Sequence, residues 1–298
     1  MSKKEKQSCA VSPYSGGTAF TTMIIIYLLI TFVGQAILLA FSQNEGVIFS
    51  AVCATFSSIA IFAVIFLFSK KLNENALNLC GVRKFKAKYI PLSLLLSISM
   101  FFGLGFLNTV VANGIESLGG KVNDGSFPLN NIGEVIIFTI VLAVFPAIFE
   151  ELFFRGIILN SLRGGGFIIS AFVSGVFFAL YHCSPVQFFY QLIYGLGLAF
   201  LYNVSSSVLP CIISHFINNF AVILLEYLKI DMSGILFNPL VIAIGLLGLA
   251  SFFVLSIIVI KKNGGEVQKT GGVLTEFLLP YGLFGGLACV ALAVVSIL

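Results

Sequence analysis

Long apolar runs alternate with short polar ones along the whole chain, at 18–41, 47–68, 90–112, 132–160, 167–183, 187–203, 207–228, 235–260 and 273–298. A helix needs about 20 apolar residues to cross the roughly 30 Å hydrocarbon core of a bilayer, and each run crosses or nearly crosses it. Spanning backbone must satisfy its own hydrogen bonds, which leaves helices for segments of this length. The pattern therefore predicts an all-α, polytopic transmembrane helical bundle of eight to nine spans. The two shortest runs, 167–183 and 187–203, meet around Ser184 and Pro185, where proline ends or kinks a helix.

Composition supports this pattern. Hydrophobic residues make up 59% of the 298 and charged ones only 9%, against roughly 25% charged in an average soluble protein. Mean hydropathy is +1.09, so too little polar surface exists to coat a water-soluble fold. The run from Thr18 to Phe41 is too long for a secretory signal and reads as an uncleaved first helix. Six cysteines lie far apart with no CxxC pair, and read as reduced, mostly buried residues.

Charge sets the orientation. With the N-terminus inside, the cytoplasmic side receives Lys3, Lys4, Lys6, Lys70, Lys71, Arg83, Lys84, Lys86, Lys88, Arg155, Arg163, Lys261, Lys262 and Lys269, which is 14 of the 16 basic residues. Only Lys121 and Lys229 stay outside. The net charge of +4 then reflects topology, and no nucleic-acid partner is implied. The expectation is a multi-pass integral protein of the cell membrane, with lipid as its first partner and a cytoplasmic N-terminus.

Ionisable residues inside spans are the informative ones, since each costs on the order of 2.5–3.5 kcal/mol at a helix centre. The fourth run contains Glu150-Glu151-Leu152-Phe153-Phe154-Arg155. Glu151 and Arg155 are four apart and share a helix face, so they pair, while Glu150 points elsewhere and stays free. The only two histidines also lie in apolar runs. Phe178 shares a face with His182, and His215 shares one with Asn219. Gly164-Gly165-Gly166 predicts a tight reversal. Glu150 stands 15 residues before Gly165 and His182 stands 17 after it, so at about 1.5 Å per residue they reach nearly the same height on antiparallel helices. With Arg155 taken to mark the interface, the site is expected nearer the cytoplasm. Pro146, Pro185 and Pro210 lie close by, each bending a helix or freeing a carbonyl, as around a water-filled cavity.

A carboxylate with a histidine can hold and deprotonate a water, and a second histidine with an asparagine supplies donors for an oxyanion. Together Glu150, His182, His215 and Asn219 are the parts of a hydrolase acting on an acyl carbon. No serine or cysteine sits with a histidine at a recognisable spacing. Zinc bound by Glu150, His182 and His215 is the competing chemistry, because two histidines and a carboxylate form a catalytic ligand set. A proton-coupled transporter relaying protons through the same groups is a further reading.

Glu150-Glu151-x-x-x-Arg155, Phe178-x-x-x-His182 and His215-x-x-x-Asn219, in this order on successive spans, resemble the CPBP family of intramembrane proteases. This is the type II CAAX prenyl endopeptidase and bacteriocin-processing group, also called Abi. The resemblance covers about residues 130–228. It implies a helical bundle with a cavity open to the cytosol, in which Glu150 and His182 activate water, His215 and Asn219 bind the oxyanion, and Glu151, Arg155 and Phe178 support them. It also implies a glutamate-type protease without a catalytic metal, although members have been described as metalloproteases. The implied partner is a peptide or membrane-associated protein substrate, prenylated in eukaryotic relatives and tied to peptide or bacteriocin processing, immunity or secretion in bacterial ones. A catalytically silent immunity or scaffold protein is the remaining alternative.

The expected organisation is a cytoplasmic tail at 1–17, N-terminal transmembrane helices at 18–129, the catalytic core helices at 130–228 and C-terminal transmembrane helices at 229–298. Gln187, Gln191 and Tyr194 fall on one face of the sixth run and are expected to bond between helices. Glu134, Glu226 and Glu276 are expected to reach the interface, and Tyr89, Tyr202 and Tyr227 to anchor span ends.

Overall fold

A computed structural model describes residues 11–41, 46–122, 129–262 and 272–298. Lys3, Lys4, Lys6, Cys9 and Lys269, and with them most of the expected cytoplasmic tail, lie outside the described residues.

Among the described residues, eight helices are long and apolar enough to cross a membrane: α1 (Pro13–Ala40), α2 (Val47–Leu72), α3 (Ala87–Ser117), α4 (Ile132–Gly165), α6 (Phe188–Ser205), α7 (Leu209–Tyr227), α8 (Pro239–Lys262) and α9 (Val273–Val295). Between α4 and α6 lies the shorter apolar helix α5 (Phe167–Tyr181). No strand occurs among the described residues. The chain is an all-α, multi-pass membrane protein, as the hydropathy pattern predicts.

The outer surface is apolar in the way lipid requires. Phe32 is 78% exposed, Ile48 76% and Leu247 68%, values that only a hydrocarbon solvent tolerates for side chains of this size in such numbers. Inside, lipid-like driving force is absent and close contact of small residues takes over. A Cβ on Gly195 of α6 would stand 3.0 Å from the Gly175 Cα of α5. Likewise a Cβ on Gly103 of α3 would stand 2.8 Å from the Gly245 carbonyl carbon of α8. These glycines bring α5 onto α6 and α3 onto α8 at backbone distance.

Helix α4 is the irregular one. Asn131 caps it, its side-chain oxygen accepting from the Glu134 N–H at 3.0 Å, while Glu134 Oε2 accepts from the Asn130 N–H at 2.6 Å. Two stretches of wider, π-type turn, Thr139–Val144 and Phe154–Ile158, flank the regular segment Phe145–Phe153. Such bulges rotate the following side chains relative to a straight helix and recur where function needs them re-aimed. The segment between them carries Glu150 and Glu151. Helix α4 ends in the tight turn Arg163–Gly165, and Gly166 completes the reversal at φ 92°, a value suited to glycine. The glycine triplet makes the predicted turn.

Candidate active site

Proline chemistry positions the first wall of the site. Pro146 has no N–H to offer the carbonyl four residues back, that of Leu142, and the Asn219 side chain from α7 donates to this carbonyl at 3.0 Å. Thus the irregularity in α4 is read directly by α7. Pro210 acts differently from the expected kink: it sits in the first turn of α7, where its missing N–H breaks no helical bond. Pro185 lies in the α5–α6 connection, after α5 has ended at Tyr181.

Adjacent carboxylates on α4 face different surroundings. Glu151 and Arg155 are both fully buried and pair at 2.9 Å through Glu151 Oε1 and Arg155 Nη1. The same oxygen accepts from the His215 ring, Nδ1 to Oε1 at 2.8 Å. Arg155 also donates to the Gly195 carbonyl at 3.3 Å and lies over the Phe178 ring, 4.5 Å from its centroid. Phe178 in turn meets both histidine rings edge-on, at 4.9 Å for His182 and 5.9 Å for His215. The expected Glu151–Arg155 pair is present, and the His215 anchor on Glu151 was not foreseen. Nothing in residue spacing signals it, because 64 residues separate the two.

Glu150 faces the other way. Its Oε1 accepts from the Tyr181 hydroxyl at 3.4 Å, while its Oε2 is buried with no hydrogen-bond partner. That oxygen stands 4.0 Å from His182 Nε2 and 4.0 Å from His215 Nε2. His182 caps the end of α5, and its Nδ1–H donates to the Phe178 carbonyl at 2.8 Å, leaving Nε2 as the acceptor nitrogen. Three groups from three helices thus converge, with both Nε2 atoms aimed at one carboxylate oxygen.

They lie at the floor of a cavity of about 660 Å³, which Asn218 and Asn219 also line. Asn218 was not singled out from sequence, although it neighbours Asn219. It accepts from the Tyr190 hydroxyl at 2.6 Å. Tyr181, which holds Glu150, was also missed, since a tyrosine in an aromatic-rich run carries no signal of its own. Gln187 and Gln191, expected to bond between helices, line the cavity instead, because the first turn of α6 faces it. Tyr194 does make an interhelical bond, to Ser214 at 3.2 Å.

Depth and opening differ. The site was expected nearer the cytoplasmic turn at Gly164–Gly166, and His215 stands in the second turn of α7, while the cavity lining extends to the opposite ends of the helices, to Leu129, Glu226, Ile230 and Met232. The reason is that His182 caps the far end of α5 from that turn. Counting equal heights placed the residues level with one another, but did not say toward which end their shared pocket opens.

As placed, these groups stand wider apart than the ligands of a bound zinc ion. Ligands of a tetrahedral zinc at about 2.0–2.1 Å stand about 3.3 Å from one another, whereas each histidine nitrogen lies 4.0 Å from the Glu150 oxygen. Among the described residues, no group of three His, Cys, Asp or Glu is arranged to hold a metal ion.

Residues 132–221, from the start of α4 into α7, match the family model described as Type II CAAX prenyl endopeptidase Rce1-like. No match was found among curated proteins or among solved structures. The matched stretch contains Glu150, Glu151, Arg155, Phe178, His182, His215 and Asn219. Over residues 132–221, about the stretch that carries the three motifs, the chain is similar to the CPBP/CAAX protease family.

Proposed function

We propose that this protein is an intramembrane endopeptidase that hydrolyses a peptide bond of a membrane-associated protein or peptide, using a water activated by Glu150 and His182. The observation that carries this reading is the buried Glu150 Oε2, without a hydrogen-bond partner and 4.0 Å from the Nε2 of both histidines. That spacing is too long for a direct bond and suits a bridging water at about 2.8 Å from each group. Glu150 takes a proton from the water as its oxygen attacks the scissile carbonyl carbon, and His182 Nε2, an acceptor by its bond to Phe178, orients the water. The carbonyl oxygen becomes an oxyanion. His215 is suited to receive it: Nδ1–H is spent on Glu151, and a proton on Nε2 makes the ring a cationic donor facing the cavity. Asn219 uses one of its amide hydrogens on Leu142 and has a second for the oxyanion. Glu150 then returns its proton to the departing nitrogen as the C–N bond breaks.

Comparing new protein termini in membranes that carry wild-type or Glu150→Ala protein tests the reading. Termini present only with the wild type are expected, and identical profiles would overturn it.

A further inference from the structure

The mouth of the cavity and the basic residues lie at opposite ends of the bundle. At one end, where α2, α4 and α8 finish and α3 begins, stand Lys70, Lys71, Arg83, Lys84, Lys86, Lys88, Arg163, Lys261 and Lys262. The other end, where α2 begins and α3 and α7 finish, has Lys121 and Lys229 as its basic residues among those described, with Glu116, Glu134, Glu226 and Asp231 beside them. Nine against two is a strong asymmetry, and lysine and arginine collect on the cytoplasmic side of short loops. Most of the lining comes from the half of these helices nearer the lysine-poor end, with Ser57 on α2, Asn108 on α3, Leu142 on α4, His182 after α5, Gln191 on α6 and Val222 on α7, while Glu150 and His215 at the floor lie just past the midpoints of α4 and α7. Exposed Gln187, Glu226 and Ile230 form its rim.

We infer that the cavity is entered from the extracytoplasmic face, so that its substrate is a membrane-tethered peptide segment displayed on that side. This departs from the cytosol-facing cavity that the family resemblance implies. The term substrate rests on the endopeptidase reading, while the side of entry does not. Glu226 at the rim and His215 at the floor are 11 residues apart on α7, about 16 Å along the helix. An extended chain rises about 3.3 Å per residue, so about five residues of the segment must enter before a peptide bond reaches Glu150. The walls on the way mix apolar Leu129, Ile223, Met232 and Leu236 with polar Asn108, Gln187 and Gln191, which suits an extended peptide whose backbone needs polar partners.

Single cysteines placed at the two ends and a membrane-impermeant maleimide test the side of entry in intact cells, with the wild-type protein as background. Ile230→Cys at the rim and Leu118→Cys, 90% exposed at the same end, are expected to label without permeabilisation. Lys86→Cys is expected to label only after it. The reverse pattern would overturn the inference. The terminus comparison adds a second readout: Glu150-dependent termini are expected in extracytoplasmic segments, and termini in cytoplasmic segments would also overturn it. If the labelling holds and no Glu150-dependent terminus appears, the endopeptidase reading fails while the side of entry stands.

Discussion

Glu150 and Glu151 are neighbours in sequence, yet the regions they enter differ in kind. Glu151 looks into packed protein, where one of its oxygens serves both Arg155 and His215 at 2.9 and 2.8 Å. Glu150 looks into a cavity, where the nearest cationic or neutral nitrogens stand 4.0 Å away. One region holds a charge in place by partners, and the other leaves a carboxylate exposed to whatever enters. On the proposed reading, the buried ion pair orients the groups around it and the adjacent, less partnered acid does the chemistry.

Substitutions on either side sharpen that contrast. Glu150→Gln keeps shape and removes the proton acceptor, so cleavage is expected to fall by about 10²- to 10⁴-fold, the span of general-base catalysis. Thermal unfolding in detergent should stay close to wild type, and a large drop in stability would place Glu150 with its structural neighbour. Arg155→Ala attacks the other region. Removing Arg155 leaves the buried Glu151 with His215 as its remaining partner and is expected to destabilise by up to about 3–5 kcal/mol, measured by the same unfolding assay. An Arg155→Ala protein as stable as the wild type would mean that the packed region is not held by its charges.

Asn219→Ala is expected to lower turnover by about 10²- to 10³-fold as a lost oxyanion donor. It also removes the donor to the Leu142 carbonyl, so a modest stability loss accompanies it. If stability falls and turnover per folded molecule does not, Asn219 serves the helix alone. Gly195→Ala probes the backing of the site. Its Cβ would meet Gly175 Cα and Phe178 Cδ1, each at 3.0 Å, and overpacking of this sort costs about 1–3 kcal/mol. Because Phe178 supports both histidines, turnover should fall with stability, which cleavage assays at two temperatures would resolve.

Much of this was legible in the chain. Apolar runs marked the eight spans and the short helix between α4 and α6, because run length maps onto bilayer thickness. The pairing of Glu151 with Arg155 followed from i,i+4 spacing, and the candidate floor from the scarcity of ionisable groups in apolar segments. Other features were hidden for definable reasons. The His215–Glu151 bond joins helices 64 residues apart, beyond any local period. Gln187 and Gln191 could point to a neighbour or to a void, and only the placement of the α6 N-terminus against α4 and α7 decides for the void. Pro210 looked like Pro146 in sequence, yet one opens a helix and the other sits beside a π-type turn.

By itself the sequence determined that the chain lives in lipid, where it can cross, and which few ionisable residues stand inside the apolar runs. These are one-dimensional properties: hydropathy, charge and helical period act along the chain. Only the tertiary structure decided that His215 joins the Glu151–Arg155 pair, what the prolines do, and that the cavity lining extends to the ends away from the basic loops. Those outcomes depend on how far one helix is shifted and turned against the next, which small residues such as Gly175 and Gly195 set through packing at a distance.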